Sequence, residues 1–209
     1  MNHAIELSVL SPMASVESMI DAFGAVRQNG FATLTVPPFW VKKLHRDWPE
    51  STQTILSTVI GYPLGYQRTE TKQTETEYAL NDGAREIQVV MNTSAWFSNS
   101  NGWPKVEFAK LAKLIHQREA IFTVIIETDF FDEPNLIRAL KTAADAGADY
   151  VQNTTGFFQK PFDLAQALRF KQLTPAQVGC KIWAEGATNE DFTKLLEHGA
   201  ERLCLPFRS

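Results

Sequence analysis

An α/β protein built as a (β/α)8 barrel is what this sequence predicts, and three observations carry the expectation. A Gly-centred phrase occurs four times, as Asn29-Gly30-Phe31-Ala32, Asp82-Gly83-Ala84-Arg85, Ala146-Gly147-Ala148-Asp149 and His198-Gly199-Ala200-Glu201, each closing a helical pattern and opening an apolar run. The four glycines are spaced by 53, 64 and 52 residues, each long enough for two strand–helix units, so four quarters make eight strands. A chain of 209 residues is one compact domain, at the short end of the range for such barrels. Strands alternating with helices imply a parallel sheet with its site at the C-terminal strand ends. An open doubly wound sheet is the structural alternative.

Taken in order, the β-favouring runs are residues 4–10, 31–36, 54–60, 86–91, 121–127, 150–153, 179–184 and 202–205. Ser15 and Asp132 are placed as N-caps of the first and fifth helices. The helix over 105–118 has Phe108, Leu111, Ala112 and Ile115 on one face, with Lys105, Lys110 and Lys113 elsewhere. The last strand runs almost to Ser209, so the sequence predicts a barrel shortened at both ends with its eighth helix missing. That would leave Leu203, Leu205 and Phe207 on an uncovered face, to be covered by a second subunit of a homo-oligomer, a dimer, or by the tail folding back.

Composition narrows the function classes. Net charge is −4 and no basic run exceeds Lys42-Lys43, which speaks against nucleic acid or a membrane surface as partner. No leader pattern or apolar stretch of about 20 residues is present, so a cytoplasmic protein is expected. Cys180 and Cys204 lie in apolar runs and read as small hydrophobes. His3, His45, His116 and His198 fall at a terminus or near helix ends, away from a barrel mouth. No metal-ligand spacing, phosphate loop or Ser/His/Asp arrangement occurs, so neither metal nor cofactor is expected.

The stretch Asp149-Tyr-Val-Gln-Asn-Thr-Thr-Gly-Phe157 joins a strand to a loop that offers hydroxyls and a bare backbone to a ligand. It resembles the signature Asp-Phe-Val-Lys-Thr-Ser-Thr-Gly-Phe of the deoxyribose-phosphate aldolase family. The block Thr58-Val-Ile-Gly-Tyr-Pro-Leu-Gly65 with Thr69-Glu-Thr-Lys72, the fifth-strand Val124-Ile-Ile-Glu-Thr128 and Lys181 on strand seven follow in the family's order over nearly the whole chain.

The resemblance implies a (β/α)8 barrel and class I aldolase chemistry, in which a lysine forms a Schiff base. It places Gln152 at that lysine's position and Gln88 at the family's relay aspartate, two amides that do not titrate near neutral pH. Thr123, Leu34 and Glu6-Leu7-Ser8 also depart from the pattern. Ala184 and Glu185 replace a Gly-Gly pair, and Pro206 falls in the turn of the phosphate site, where it offers no N–H. A phosphorylated sugar is therefore disfavoured.

The candidate catalytic residues are Lys181 and Glu127, with Gln152 and Gln88 at substituted catalytic positions; Asn92, Thr154, Thr155, Gly156 and Trp183 are candidate ligand contacts. Alternation points Lys181 inward, where desolvation would free a neutral amine, unless Glu127 or Glu185 pairs with it. Glu127 is either a general base or a hydrogen-bond anchor for the next loop. Trp183 is either an obstruction or a stacking wall. Lys160, in a Gln-Lys-Pro loop, is the nearest lysine in sequence to the signature. The amide- and hydroxyl-rich lining suits a neutral polar ligand.

Three readings follow: a family member that has lost aldol cleavage and binds a small neutral polar molecule or a protein partner; a lyase using Lys181 on an unphosphorylated carbonyl; and an ordinary deoxyribose-phosphate aldolase.

Overall fold

A computed structural model describes residues 2–47, 53–98 and 102–208. Its eight strands close into a barrel in sequential order, every neighbouring pair parallel. The strands are β1 (Ile5–Ser8), β2 (Thr33–Val36), β3 (Ile55–Ile60), β4 (Glu86–Val90), β5 (Ile121–Ile125), β6 (Tyr150–Gln152), β7 (Gly179–Trp183) and β8 (Arg202–Pro206). The helices between them are α1 (Val16–Asn29), α2 (Pro38–Asp47), α3 (Thr69–Asn81), α4 (Thr93–Phe97), α5 (Gly102–His116), α6 (Glu133–Asp145), α7 (Leu164–Leu173) and α8 (Asn189–Glu197).

Local chemistry sets the helix ends. Ser15 caps α1 in a reciprocal box with Ser18, and Asp132 accepts from the Asn135 amide at the start of α6. Gly30 ends α1 in the left-handed region, its N–H returning to the Val26 carbonyl. Gly83, Gly147 and Gly199 also take positive φ, but one residue later, because Asp82, Ala146 and His198 are the caps.

Eight α-helices are present among the described residues, yet two of them, α4 and α5, share the β4–β5 connection and none follows β8. The face expected to lack cover is largely closed within the chain. Leu203 is fully buried, Leu205 and Phe207 are half-buried against the main core, and the Phe207 amide donates to the Ser8 carbonyl at 2.8 Å. The tail does not fold back: it runs on beside β1, and Leu203 is buried in the main core of the same chain.

Strand alternation divides the interior. Outward-facing Leu7, Leu34, Ile87, Phe122, Val151, Ile182 and Leu203 join the helices in the main apolar core. Inward-facing Glu6, Thr35, Ser57, Glu86, Gln88, Thr123, Gln152, Lys181 and Cys204 make a polar barrel centre that is almost wholly closed to solvent. Two residues further along their strands, Val59, Val90 and Ile125 form a separate apolar cluster with Leu10 and Tyr62, capping the polar centre on the C-terminal side.

Candidate functional site

The polar centre is organised by Lys181. Its Nζ donates to Glu6 Oε2 at 2.6 Å and to Glu86 Oε1, and lies 5.4 Å from the centroid of the Tyr150 ring. All three charged side chains are wholly buried. Burial opposes the ammonium, but the charges of Glu6 and Glu86 outweigh it and hold the lysine above its ordinary range. Burial likewise opposes the Glu6 carboxylate, and Lys181 with the donors around it wins, so Glu6 titrates below its ordinary value. Gln88 Nε2 donates to Glu6 Oε1 at 2.6 Å, Ser57 Oγ at 2.9 Å and Thr35 Oγ1 at 3.0 Å, while Thr123 donates to Glu86 Oε1 at 2.7 Å.

The anticipated pairing of Lys181 with Glu127 or Glu185 is therefore corrected. Glu127 sits at the end of the next strand but one and is turned to the loop, and Glu185 lies past β7 and pairs with Arg208. The actual partners stand on β1 and β4, across the barrel. Their signal was present in the sequence: Glu6 shares the parity of Ser8, and Glu86 that of Gln88, so both follow Gln88 and Lys181 inward.

Above this centre, Gln152 ends β6 with its amide nitrogen on the Thr154 carbonyl at 2.7 Å and its oxygen accepting from Cys204 Sγ at 3.3 Å. Glu127 accepts from Thr154 Oγ1 at 2.8 Å, from the Thr155 amide at 2.5 Å and from the Thr155 hydroxyl. Its charge adds to burial in pushing the neighbouring Tyr62 phenol up to about 12. Both cysteines are free and buried; burial drives the Cys180 thiol up to about 12 and Cys204 well above the usual thiol range, so neither is a thiolate nucleophile at neutral pH.

A cleft of about 400 Å3 opens at the C-terminal ends of β5, β6 and β7. Thr154, Gly156 and Trp183 line it, together with Asn153, Lys160 and Glu185. The Trp183 indole lies against Gly156 so closely that a Cβ there would come within 2.3 Å of the ring, and its Nε1 donates to Glu185 at 3.3 Å. Trp183 is thus a wall of the cleft. Phe130, Phe157, Phe158 and Tyr62 make a chain of edge-to-face contacts beside it.

Not every candidate ligand contact comes together there. Thr155 turns its hydroxyl to Glu127 and is buried. Asn92 caps α4 by accepting from the Ala95 amide at 3.0 Å and faces a separate depression beside Tyr66 and Trp103. Lys181, Gln88 and Gln152 lie below the cleft and contribute no surface to it. Lys160 does line it, ion-paired to Asp129 at 2.7 Å. A second buried pair went unanticipated: Lys72 of the Thr-Glu-Thr-Lys block donates to Glu107 at 2.7 Å and to the Val90 carbonyl at 2.8 Å. Among the described residues no group of three or more His, Cys, Asp or Glu side chains is placed to hold a metal, and no helix is long and apolar enough to cross a membrane.

Eight sequential parallel strands closed around a buried Lys–carboxylate centre, with a cleft at their C-terminal ends, define a (β/α)8 barrel of the kind that carries its site at that end. No family model matches the sequence. Individual relatives do. The chain is 31% identical to deoxyribose-phosphate aldolase of Thermococcus kodakarensis over 95% of its own length and 89% of that protein, and 30% identical to that of Bacillus mycoides over 95% and 88%. It superposes on the deoxyribose phosphate aldolase of Aeropyrum pernix, described as a unique tetramer, with a TM-score of 0.86 at 26% identity, over 97% of this chain and 85% of that one. A putative deoxyribose-phosphate aldolase from Coccidioides immitis gives 0.86 at 27% identity, over 97% and 80%. The chain belongs to the deoxyribose-phosphate aldolase family.

Proposed function

We propose that this member of the family has lost Schiff-base aldol cleavage and holds a small neutral polar or carbonyl molecule in the cleft walled by Thr154, Gly156 and Trp183. The observation that carries the reading is at β6. The sequence resemblance sets Gln152 at the position of the family's nucleophilic lysine, and its amide nitrogen is conjugated and cannot form an iminium. Its two polar atoms are already engaged, by Thr154 and Cys204.

The remaining barrel lysine is a poor substitute. Iminium formation needs a neutral amine that a carbonyl can reach, and Lys181 is wholly buried, doubly paired with carboxylates and held in its charged form. Gln88, at the relay position, binds Glu6 through its amide and has no proton to exchange near neutral pH. What supports a retained binding role is the cleft itself, with a stacking surface, the polar side chains of Asn153 and Thr154 in its lining, and two ion pairs at its edge.

The relatives' shared name favours a second reading, an active deoxyribose-phosphate aldolase, and a third uses Lys181 on an unphosphorylated carbonyl. Borohydride trapping with small aldehydes and with deoxyribose 5-phosphate, followed by intact-mass and peptide mass spectrometry, separates them. The proposal expects no adduct in the native protein under conditions that label an authentic aldolase, and protection of the Trp183 fluorescence by a polyol or carbonyl ligand. A stoichiometric adduct mapped to Lys181 supports the third reading. Turnover of deoxyribose 5-phosphate, with an adduct at any lysine, Lys160 included, establishes the second.

By the same family membership we propose a cytoplasmic homo-oligomer. With Leu203 covered inside the chain, such an assembly would use other surfaces than the β8 seam; analytical ultracentrifugation giving only the 23.5 kDa species would remove it.

A further inference from the structure

The opposite, N-terminal end of the barrel carries a second concavity of about 430 Å3, between the end of α1, the start of β3 and the start of β8. Its lining includes His3, Arg27, Phe31, Gln53 and Arg202. Two arginines and a histidine thus line one hollow, and among the described residues no carboxylate lines it, in a chain whose net charge is −4.

The two arginines have few partners. Arg202 points into the base of the barrel, where one N–H donates to Thr33 Oγ1 and the guanidinium carbon lies 5.7 Å from the Tyr150 ring centroid. The Arg27 guanidinium lies 5.6 Å from the Phe23 centroid. Among the described residues neither forms an ion pair with a carboxylate. Arginine has five N–H donors, so each fork remains largely unspent.

Two ordinary roles explain part of this arrangement. Arg27 lies in the last turn of α1, where a cation is favourable. Arg202, at the start of β8, donates to Thr33 and lies beside the Tyr150 ring, contacts that help hold the barrel base. Neither role requires two arginines and a histidine to converge on one hollow, and Thr33 Oγ1 accepts from one of the five N–H donors of the partly buried Arg202.

We propose that this hollow is a second ligand site, which takes a compact oxyanion: a phosphate monoester or a small di- or tricarboxylate. The planar fork of arginine matches paired oxygens of either group, and ring stacking pre-orients it. Arg202 supplies the deep contact; Arg27 and His3 close on the ligand from the rim, with the Phe31 ring as an apolar side wall. A metal ion or an amine would meet the like charge of two guanidinium groups. A neutral sugar would leave a guanidinium unpaired. The volume falls in the range of small-molecule sites. The site lies at the other end of the barrel from the cleft, so it does not depend on the function proposed for that cleft.

The test is calorimetric titration of the full chain with inorganic phosphate and with citrate, against chloride at matched ionic strength. Excluded anions stabilise any fold, so a rise in melting temperature alone decides nothing, and the readout is saturable heat compared between variants. The expected result is one site per chain, weakened about tenfold by Arg27→Gln, the worth of one charged hydrogen bond, and unaltered by Lys141→Gln, which removes a charge from α6 on the barrel's side. Arg27 is exposed, so the variant tests the site even if Arg202→Met fails to fold. The phosphate and citrate arms report which oxyanion is preferred. No saturable binding at millimolar anion, or equal weakening by Arg27→Gln and Lys141→Gln, overturns the proposal.

Discussion

Lys181 is bonded to two carboxylates, all three side chains buried from bulk solvent, and that decides what its removal does. Replacing the ammonium by a methionine of similar length leaves Glu6 and Glu86 facing each other without compensation, at a cost of about 3–5 kcal/mol. Lys181→Met is therefore expected to lower the urea midpoint strongly at neutral pH, and a variant as stable as the parent would show that the cluster is not ionised as described. Gly156 is the second residue whose chemistry is fixed by its surroundings. It takes φ 72° and its missing Cβ space is filled by the Trp183 ring. Gly156→Ala meets both obstacles, the backbone one costing roughly 1–2 kcal/mol. Trp183→Ala in the same chain removes only the steric one. The double variant is expected to be more stable than the sum of the single losses implies, measured as a coupling energy in a double-mutant cycle. Strict additivity would mean that the indole does not lie where Gly156 admits it.

The β6–α7 connection is an element held from outside itself. Glu127 at the end of β5 accepts from Thr154 and twice from Thr155, so one side chain fixes the start of the loop that walls the cleft. In Glu127→Gln an amide nitrogen replaces an acceptor oxygen and the charge-assisted bonds are lost, each worth about 1.5–3 kcal/mol. Hydrogen exchange is expected to quicken over residues 153–158 and to stay unchanged in β1 and β2; uniform quickening would point to global destabilisation instead. At this scale the sequence was most legible. All eight strands were placed to within about two residues at each end, the caps at Ser15 and Asp132 are as read, and the Gly-centred phrases mark the quarters. What escaped was the split of the β4–β5 connection into α4 and α5, because Asn92 caps a five-residue helix too short to show a 3.6-residue period. The site was legible only in part. Alternation gives the parity of Lys181, Gln88, Glu6 and Glu86, but the partner across a barrel depends on stagger and closure, which no local pattern encodes. Depth is hidden for the same reason: Val59, Val90 and Ile125 share the parity of the polar residues before them on their strands, and only the closed barrel shows that they gather with Leu10 and Tyr62 into an apolar cluster of their own.

For the molecule as a whole, the buried cluster ties stability to pH from both sides. In the folded state Glu6 titrates below its ordinary value of 4.5, so as pH falls the unfolded chain takes up its proton first. Its contribution is complete above that ordinary value and is lost as pH falls through the folded one. Lys181 is shifted upward from 10.5, so its contribution is complete below that value and is lost as pH rises through the folded one. The expected profile is a plateau of urea midpoint across the neutral range with a decline at each end. Exposed pairs blur the acid side, since the Asp47 carboxyl is held down to about 2 by its hydrogen bonds to Arg46 and Lys43. High salt screens that surface share and leaves the buried one, because no counter-ion reaches the barrel centre. Glu6→Gln measured at high salt then isolates the cluster: the variant is less stable than the parent at neutral pH, and its acid decline is shallower. A midpoint that rises on acidification from about pH 5 to 3, or an acid slope identical in parent and Glu6→Gln, would show that the barrel is not held by an ionised Glu6–Lys181–Glu86 centre, and with it the argument that Lys181 is locked in its charged form would fall.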